Sequence, residues 1–145
     1  MADSPEVTLI FREEELIRAK DLNSFLYFFR IVYGIAVTTL DFESISSVEE
    51  LDHNSTSMIE HVRNVMASTT LDYLEDYYWA PDLEDRELFI ETILHESPLR
   101  MSFRAMLYPL IIAIVMAGGT ADLAHMTFEV NGLADGVHQI TQTTP

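Results

Sequence analysis

The chain predicts an α+β fold: a small, mostly antiparallel sheet of three or four strands packed with three to five helices. Three observations predict it. Residues 99–105 alternate between apolar and polar more regularly than any other stretch, and a second β-rich run precedes them across Ser97-Pro98, so a hairpin is expected at about residues 87–105. A run of thirteen uncharged residues, Ala105–Ala117, follows and ends at Gly118-Gly119. Strand-like and helix-like segments do not alternate along the chain as a doubly wound sheet would require.

In order, Val7, Leu9 and Phe11 fall on one face of a short first strand. The charged segment Arg12–Lys20 reads as a solvated turn or loose helix. Asp21 is placed to cap a helix beginning at Leu22, with Leu22, Phe25, Leu26, Phe29, Val32, Tyr33 and Ala36 at helical spacing. Phe28, Ile31 and Ile35 widen that stripe beyond half the circumference, which calls for a sheet on one side and another helix on the other. Gly34 allows a neighbouring element to come close. Ser47-Val48-Glu49-Glu50 and Ser57-Met58-Ile59-Glu60 both have capping-box spacing, the second opening an amphipathic segment through Met66. Thr70 restarts a helix through Leu71, Leu74 and Tyr78, ending before Ala80-Pro81.

In the hairpin, Leu88, Ile90, Thr92 and Leu94 are expected on one face of the first strand and Leu99, Met101, Phe103 and Ala105 on one face of the second. Pairing Leu94 with Leu99 would set Glu91 opposite Ser102 and diagonal to Arg100 and Arg104. The apolar run is a helix with Pro109 in its first turn and the glycine pair at its C-terminus. Met126, Phe128 and Val130 mark a last strand, Asn131-Gly132 a turn, and Leu133, Val137 and Ile140 a final helix, with residues 141–145 fraying.

The 145 residues, 48% of them hydrophobic, fit a single globular domain spanning residues 1–145. The absence of cysteine excludes disulfides, thiolate catalysis and cysteine-based metal centres. Residues 1–6 show neither the basic region nor the apolar run of a secretory signal, so a cytoplasmic location is expected. Thirteen apolar residues fall short of the roughly 20 that span a bilayer, and membrane contact is not expected.

Little points to catalysis. The five histidines lack metalloprotease spacing, and His95-Glu96-Ser97 are sequence neighbours whose side chains would alternate across a strand. Gly118-Gly119-Thr120 has no nearby lysine or arginine and no strand-loop-helix context, so no phosphate loop is indicated. No cofactor, metal ligand or catalytic residue is therefore assigned, and a small enzyme with an unrecognised carboxylate–histidine site is the least favoured reading.

The expected function is instead protein–protein interaction or oligomerisation without catalysis. Two surfaces are candidates. One is the acidic, aromatic segment around Tyr73, Tyr77, Tyr78 and Trp79, whose rings suit an interface and whose carboxylates could steer a basic protein partner. The other is the face of the apolar helix bearing Leu107, Ile111, Ile114 and Val115, left over once Met106, Leu110, Ala113 and Ala117 cover the sheet; it suggests a homodimer.

Charge sets the last expectation. There are 24 acidic residues against eight basic ones, and Lys20 is the only lysine. Fifteen acids face two arginines between Asp41 and Glu96, whereas from Ser97 onward there are three acids and two arginines. This pattern opposes direct nucleic-acid binding, which needs a basic face. It suits a salt-adapted protein or, as an alternative, an acidic decoy that mimics nucleic acid. In molar salt the Debye length falls to about 3 Å and self-repulsion is screened. The melting temperature should therefore rise from below about 0.1 M potassium chloride, where the Debye length is near 10 Å, to molar salt. Thermal melts across such a series check this; a flat response would reject salt adaptation and favour the decoy.

Overall fold

The computed structural model describes residues 6–12, 17–42, 45–68, 71–78, 86–95, 99–122 and 127–141. The described elements, in chain order, are β1 (Glu6–Phe11), α1 (Ala19–Thr39), α2 (Val48–Ser68), α3 (Leu71–Tyr78), β2 (Phe89–His95), β3 (Leu99–Arg104), α4 (Leu107–Met116), β4 (Thr120–Asp122), β5 (Thr127–Val130) and α5 (Leu133–Thr141). The fold is α+β, as the sequence predicts. Its sheet runs β2-β3-β1-β5-β4, so the first strand in sequence lies at the centre. Pairing is antiparallel except between β1 and β5, which makes the sheet mixed. The strand beyond the four longer ones, β4, has three residues and no alternation to announce it.

One face of the sheet carries the core. Val7, Leu9 and Phe11 of β1, Leu99, Met101 and Phe103 of β3, and Phe128 and Val130 of β5 are all buried there. The opposite face holds Thr8, Arg100, Ser102, Arg104 and Glu129, with the Thr8 and Ser102 hydroxyls 3.3 Å apart. Helix α1 packs over the buried face with α3, α4 and α5 alongside it, and α2 packs against α4 and α1. Aromatic rings join the layers: Phe11 meets Phe25 edge-on at 4.9 Å, Phe25 stacks on Phe29 at 5.1 Å, and Phe29 lies 5.5 Å from Phe103.

Helix α1 begins earlier than expected. Arg18, extended at φ −75° and ψ 133°, occupies the cap position and makes no side-chain cap bond, while Asp21 lies in the first turn. An acid in that turn complements the helix dipole without capping it. The helix has the length and apolarity to cross a membrane, yet here its buried residues, Phe25 and Phe29 among them, pack within the fold. Gly34 does allow a close approach: a Cβ there would lie 2.8 Å from the Tyr77 carbonyl oxygen.

The two capping boxes behave differently. Ser47 Oγ accepts the Glu50 backbone N–H at 3.1 Å, while the Glu50 carboxylate turns back to the Ser46 N–H and hydroxyl, each at 2.9 Å. Ser57 lies inside one continuous helix, where the ladder already satisfies the backbone, so the second box starts nothing. At the end of α4, Gly118 adopts φ 82°, and the N–H groups of Gly119 and Gly118 reach the carbonyls of Ile114 and Val115, both at 2.9 Å. That pair of bonds is a Schellman motif, which is why glycine follows the helix.

The hairpin forms with a different register. His95 pairs with Leu99 and Leu94 with Arg100, and the pairing shifts between Ile90 and Thr92. This bulge absorbs Glu91, so Thr92 faces Ser102 and the strict alternation of Leu88, Ile90, Thr92 and Leu94 is lost. Ile90 and Ile93 stand on the helix-covered side and Phe89 and Leu94 on the other.

Tyr33 fastens the hairpin to α1. Its buried hydroxyl donates to the Arg86 carbonyl, just before β2, and accepts the Met106 N–H at 3.0 Å, just after β3. Arg30, one helical turn earlier, pairs with Glu87 at 3.0 Å and donates to the Tyr77 carbonyl at 3.2 Å. Burial pushes the Tyr33 phenol up to about 12 from its ordinary 10.0. The folded state then holds a proton that the unfolded chain releases, so stability falls as pH rises from 10 toward 12. Tyr33→Phe should cost about 1–3 kcal/mol at neutral pH by orphaning the Met106 N–H. It should also remove this alkaline loss, as chemical denaturation at pH 8 and at about pH 11 would measure.

Candidate interaction surface

The expected aromatic surface is only partly on display. Tyr73 is 65% exposed on α3, beside the exposed acids Glu75 and Asp76. Tyr77 and Tyr78 are half-buried against the core, with the Tyr78 ring 4.8 Å from that of Tyr27. Desolvation, followed by the nearby Glu75 carboxylate, pushes the Tyr27 phenol up. Trp79 and the acidic stretch after it lie outside the described residues.

The apolar helix differs from expectation. Ile114 is fully buried and Ile111 nearly so, inside a single copy of the chain. The reason is coverage: α1, α2 and α5 pack around α4 and β4 lies beside it, so the face assigned to a partner is filled from within. Leu107 is half-buried, and only Val115, 37% exposed, reaches the surface in earnest. The expectation that Ile111 and Ile114 wait for a second subunit is therefore corrected.

The large apolar groups on the surface are elsewhere. Phe89, Ile90, Ile93 and Leu94 of β2 are 54%, 44%, 46% and 52% exposed. The bulge spreads them over both faces of an edge strand, beyond the area that the helices cover. A sequence signal was present. Apolar residues at both odd and even positions of one strand cannot all be buried by a sheet covered on one face only. Reading strict alternation concealed it.

The charged groups beside this strand balance locally. Glu91 pairs with Arg104 across the hairpin, and Arg104 stands opposite Glu6 of β1. Hydrogen bonding between the two carboxyls raises the pKa of Glu6, and the same contact, joined by Arg104, holds Glu91 below the usual carboxylate range. Arg100 is exposed next to Leu94 in the register. The arrangement has the form of a small neutral network on the sheet surface. It has no apolar setting in which a carboxylic acid would do proton chemistry.

His53, His61 and His138 are exposed and lie on α2 and α5, and no group of three potential metal ligands occurs among the described residues. No protein-family model, curated protein or solved structure matches the chain.

The burial of α4 makes neighbouring positions respond oppositely to charge. Ile114→Asp should destabilise the fold by more than about 4 kcal/mol, since it places an unpaired carboxylate in the core. Val115→Asp should change stability by less than about 1 kcal/mol. Circular-dichroism melts of the two variants at high salt check the contrast.

Proposed function

We propose that the protein is a non-enzymatic protein–protein interaction module, salt-adapted and cytoplasmic, that works by associating with copies of itself. The observation that supports this most is the distribution of exposed large apolar side chains. Of the six among the described residues, Phe89, Ile90, Ile93 and Leu94 sit on one seven-residue strand, and the remaining two, Tyr73 and Val115, are on separate helices. Fully burying a side chain of this size contributes roughly 1.5–3 kcal/mol, so four half-exposed ones together favour association. The acidity of the rest of the chain supports salt adaptation by the screening argument, and a high surface charge keeps such an apolar strip from promiscuous contact.

Association should depend on salt. Two copies that each carry a formal charge of −16 repel at low ionic strength and are screened at high. Light scattering at micromolar concentration should report a dimer in molar potassium chloride and a larger monomer fraction near about 0.05 M, where screening is weaker. A monomer at every salt concentration would defeat the proposal.

A further inference from the structure

We infer that two copies join through the outer edge of β2, which no other described strand pairs, by setting their β2 strands antiparallel about Ile93 so that one sheet runs through both. This inference rests on the self-association proposed above and specifies its surface. It follows from four observations.

The first is the edge itself. Among the described residues, β2 stands at one end of the strand order with β3 as its sole neighbour in the sheet. The other end is β4, whose three residues offer little ladder to a partner. Native sheets blunt their edges with short strands, prolines or lysines. β4 is blunted in that way by its length, whereas β2 is seven residues long and contains neither proline nor lysine.

The second is that both faces of β2 are apolar and exposed. Ile90 and Ile93 lie on the helix side of the sheet, Phe89 and Leu94 on the outer side, each about half accessible. A helix docked on one face would shelter one pair and leave the other in water. A strand added to the edge flanks the two faces at once, Ile93 on one and Leu94 on the other, and brings backbone donors and acceptors of its own to that edge.

The third is charge, which selects the occupant. The only ionised side chain pointing from the middle of β2 is Glu91, and Arg104 neutralises it. Arg100 adds positive charge on the neighbouring strand. For a chain with 24 acids and eight bases, this is a place where a second copy meets little like charge. A basic partner would find more attraction along α2 and α3, where Glu49, Asp52, Glu60, Glu75 and Asp76 are exposed.

The fourth is self-complementarity. Past the bulge, residues 92–95 are regular. A two-fold axis at Ile93 sets Ile93 against Ile93 of the other copy on the helix side, and Thr92 against Leu94 of the other copy twice on the outer side. Such isologous pairing closes after two copies, which keeps a sticky edge from growing into a fibre.

The test uses the full chain in molar potassium chloride. Ile93→Lys should fold like the wild type and weaken dimerisation by about tenfold or more by light scattering. Val115→Lys, on α4, should leave the dimer intact. The chain has no cysteine, so Ile93→Cys provides a readout independent of any lysine effect. Opposed Cβ atoms in an antiparallel pair lie about 4.5–5.5 Å apart, near enough for mild oxidation to give a covalent dimer with small adjustment. Val115→Cys should remain uncoupled under the same oxidation. A wild-type dimer that survives Ile93→Lys and resists coupling through Ile93→Cys overturns the β2 assignment while leaving self-association standing. A wild-type monomer overturns both.

Discussion

Everything in this structure depends on covering α1. Its residues Phe25, Phe29, Ile31, Val32, Tyr33, Ile35 and Ala36 have no measurable exposure, a breadth of burial that no single neighbouring layer can provide. The sheet covers one side, and α3, α4 and α5 line the others. Burial also dictates what the helix's polar atoms must do. The Tyr33 hydroxyl and the Arg30 guanidinium are drawn into the interior by their neighbours, and each needs partners there. They find them at Tyr77 on α3, at Arg86 and Glu87 on the approach to the hairpin, and at Met106 on its exit. An apolar constraint thus becomes a positional one, because a hydroxyl that must be satisfied pins the chain where it enters β2 and where it leaves β3.

The same constraint explains what stays uncovered. With most of the helical surface committed to α1 and the central strands, no described helix covers β2, and its inward-facing Ile90 and Ile93 remain half in water. β3, one strand nearer the centre, has Leu99, Met101 and Phe103 wholly covered. The transition from core to surface therefore falls between adjacent strands. Charge follows a complementary division. Acids populate the outer faces of α2 and α3, while the outer sheet face pairs Glu129 with Arg12 and Glu91 with Arg104. Repulsion is concentrated on the helices, and the hairpin is left close to neutral.

Much of the fold was legible in the sequence where the signal is local. The alternation of Leu99–Arg104 became β3, the uncharged run became α4 with its glycine C-cap, and the wide stripe of Phe25, Phe29 and Val32 became the central helix. Other features depend on partners distant in the chain. The parallel pairing of β1 with β5 joins residues more than a hundred positions apart, and nothing in Thr127–Val130 states its direction. β4 exists only because β5 is there to pair with it. The continuity of α2 across Asn54-Ser55-Thr56-Ser57 overrides four weak helix formers; Asn54 and Ser55 there bond to carbonyls of the preceding turn.

The candidate surface shows most sharply where the sequence stops. By itself, the sequence determined which side chains are apolar, where the charge lies and which short stretches turn, because composition and period are properties of neighbours. It could not decide which apolar residues would be surplus. Ile114 and Ile93 are the same residue type in comparably apolar stretches, and one is fully buried while the other is 46% exposed. The tertiary structure decided this through two non-local facts: α4 lies among other elements on several sides, and β2 lies at the sheet's edge beyond the helices. Burial is a property of what arrives from elsewhere in the chain, and only the assembled layers fix it.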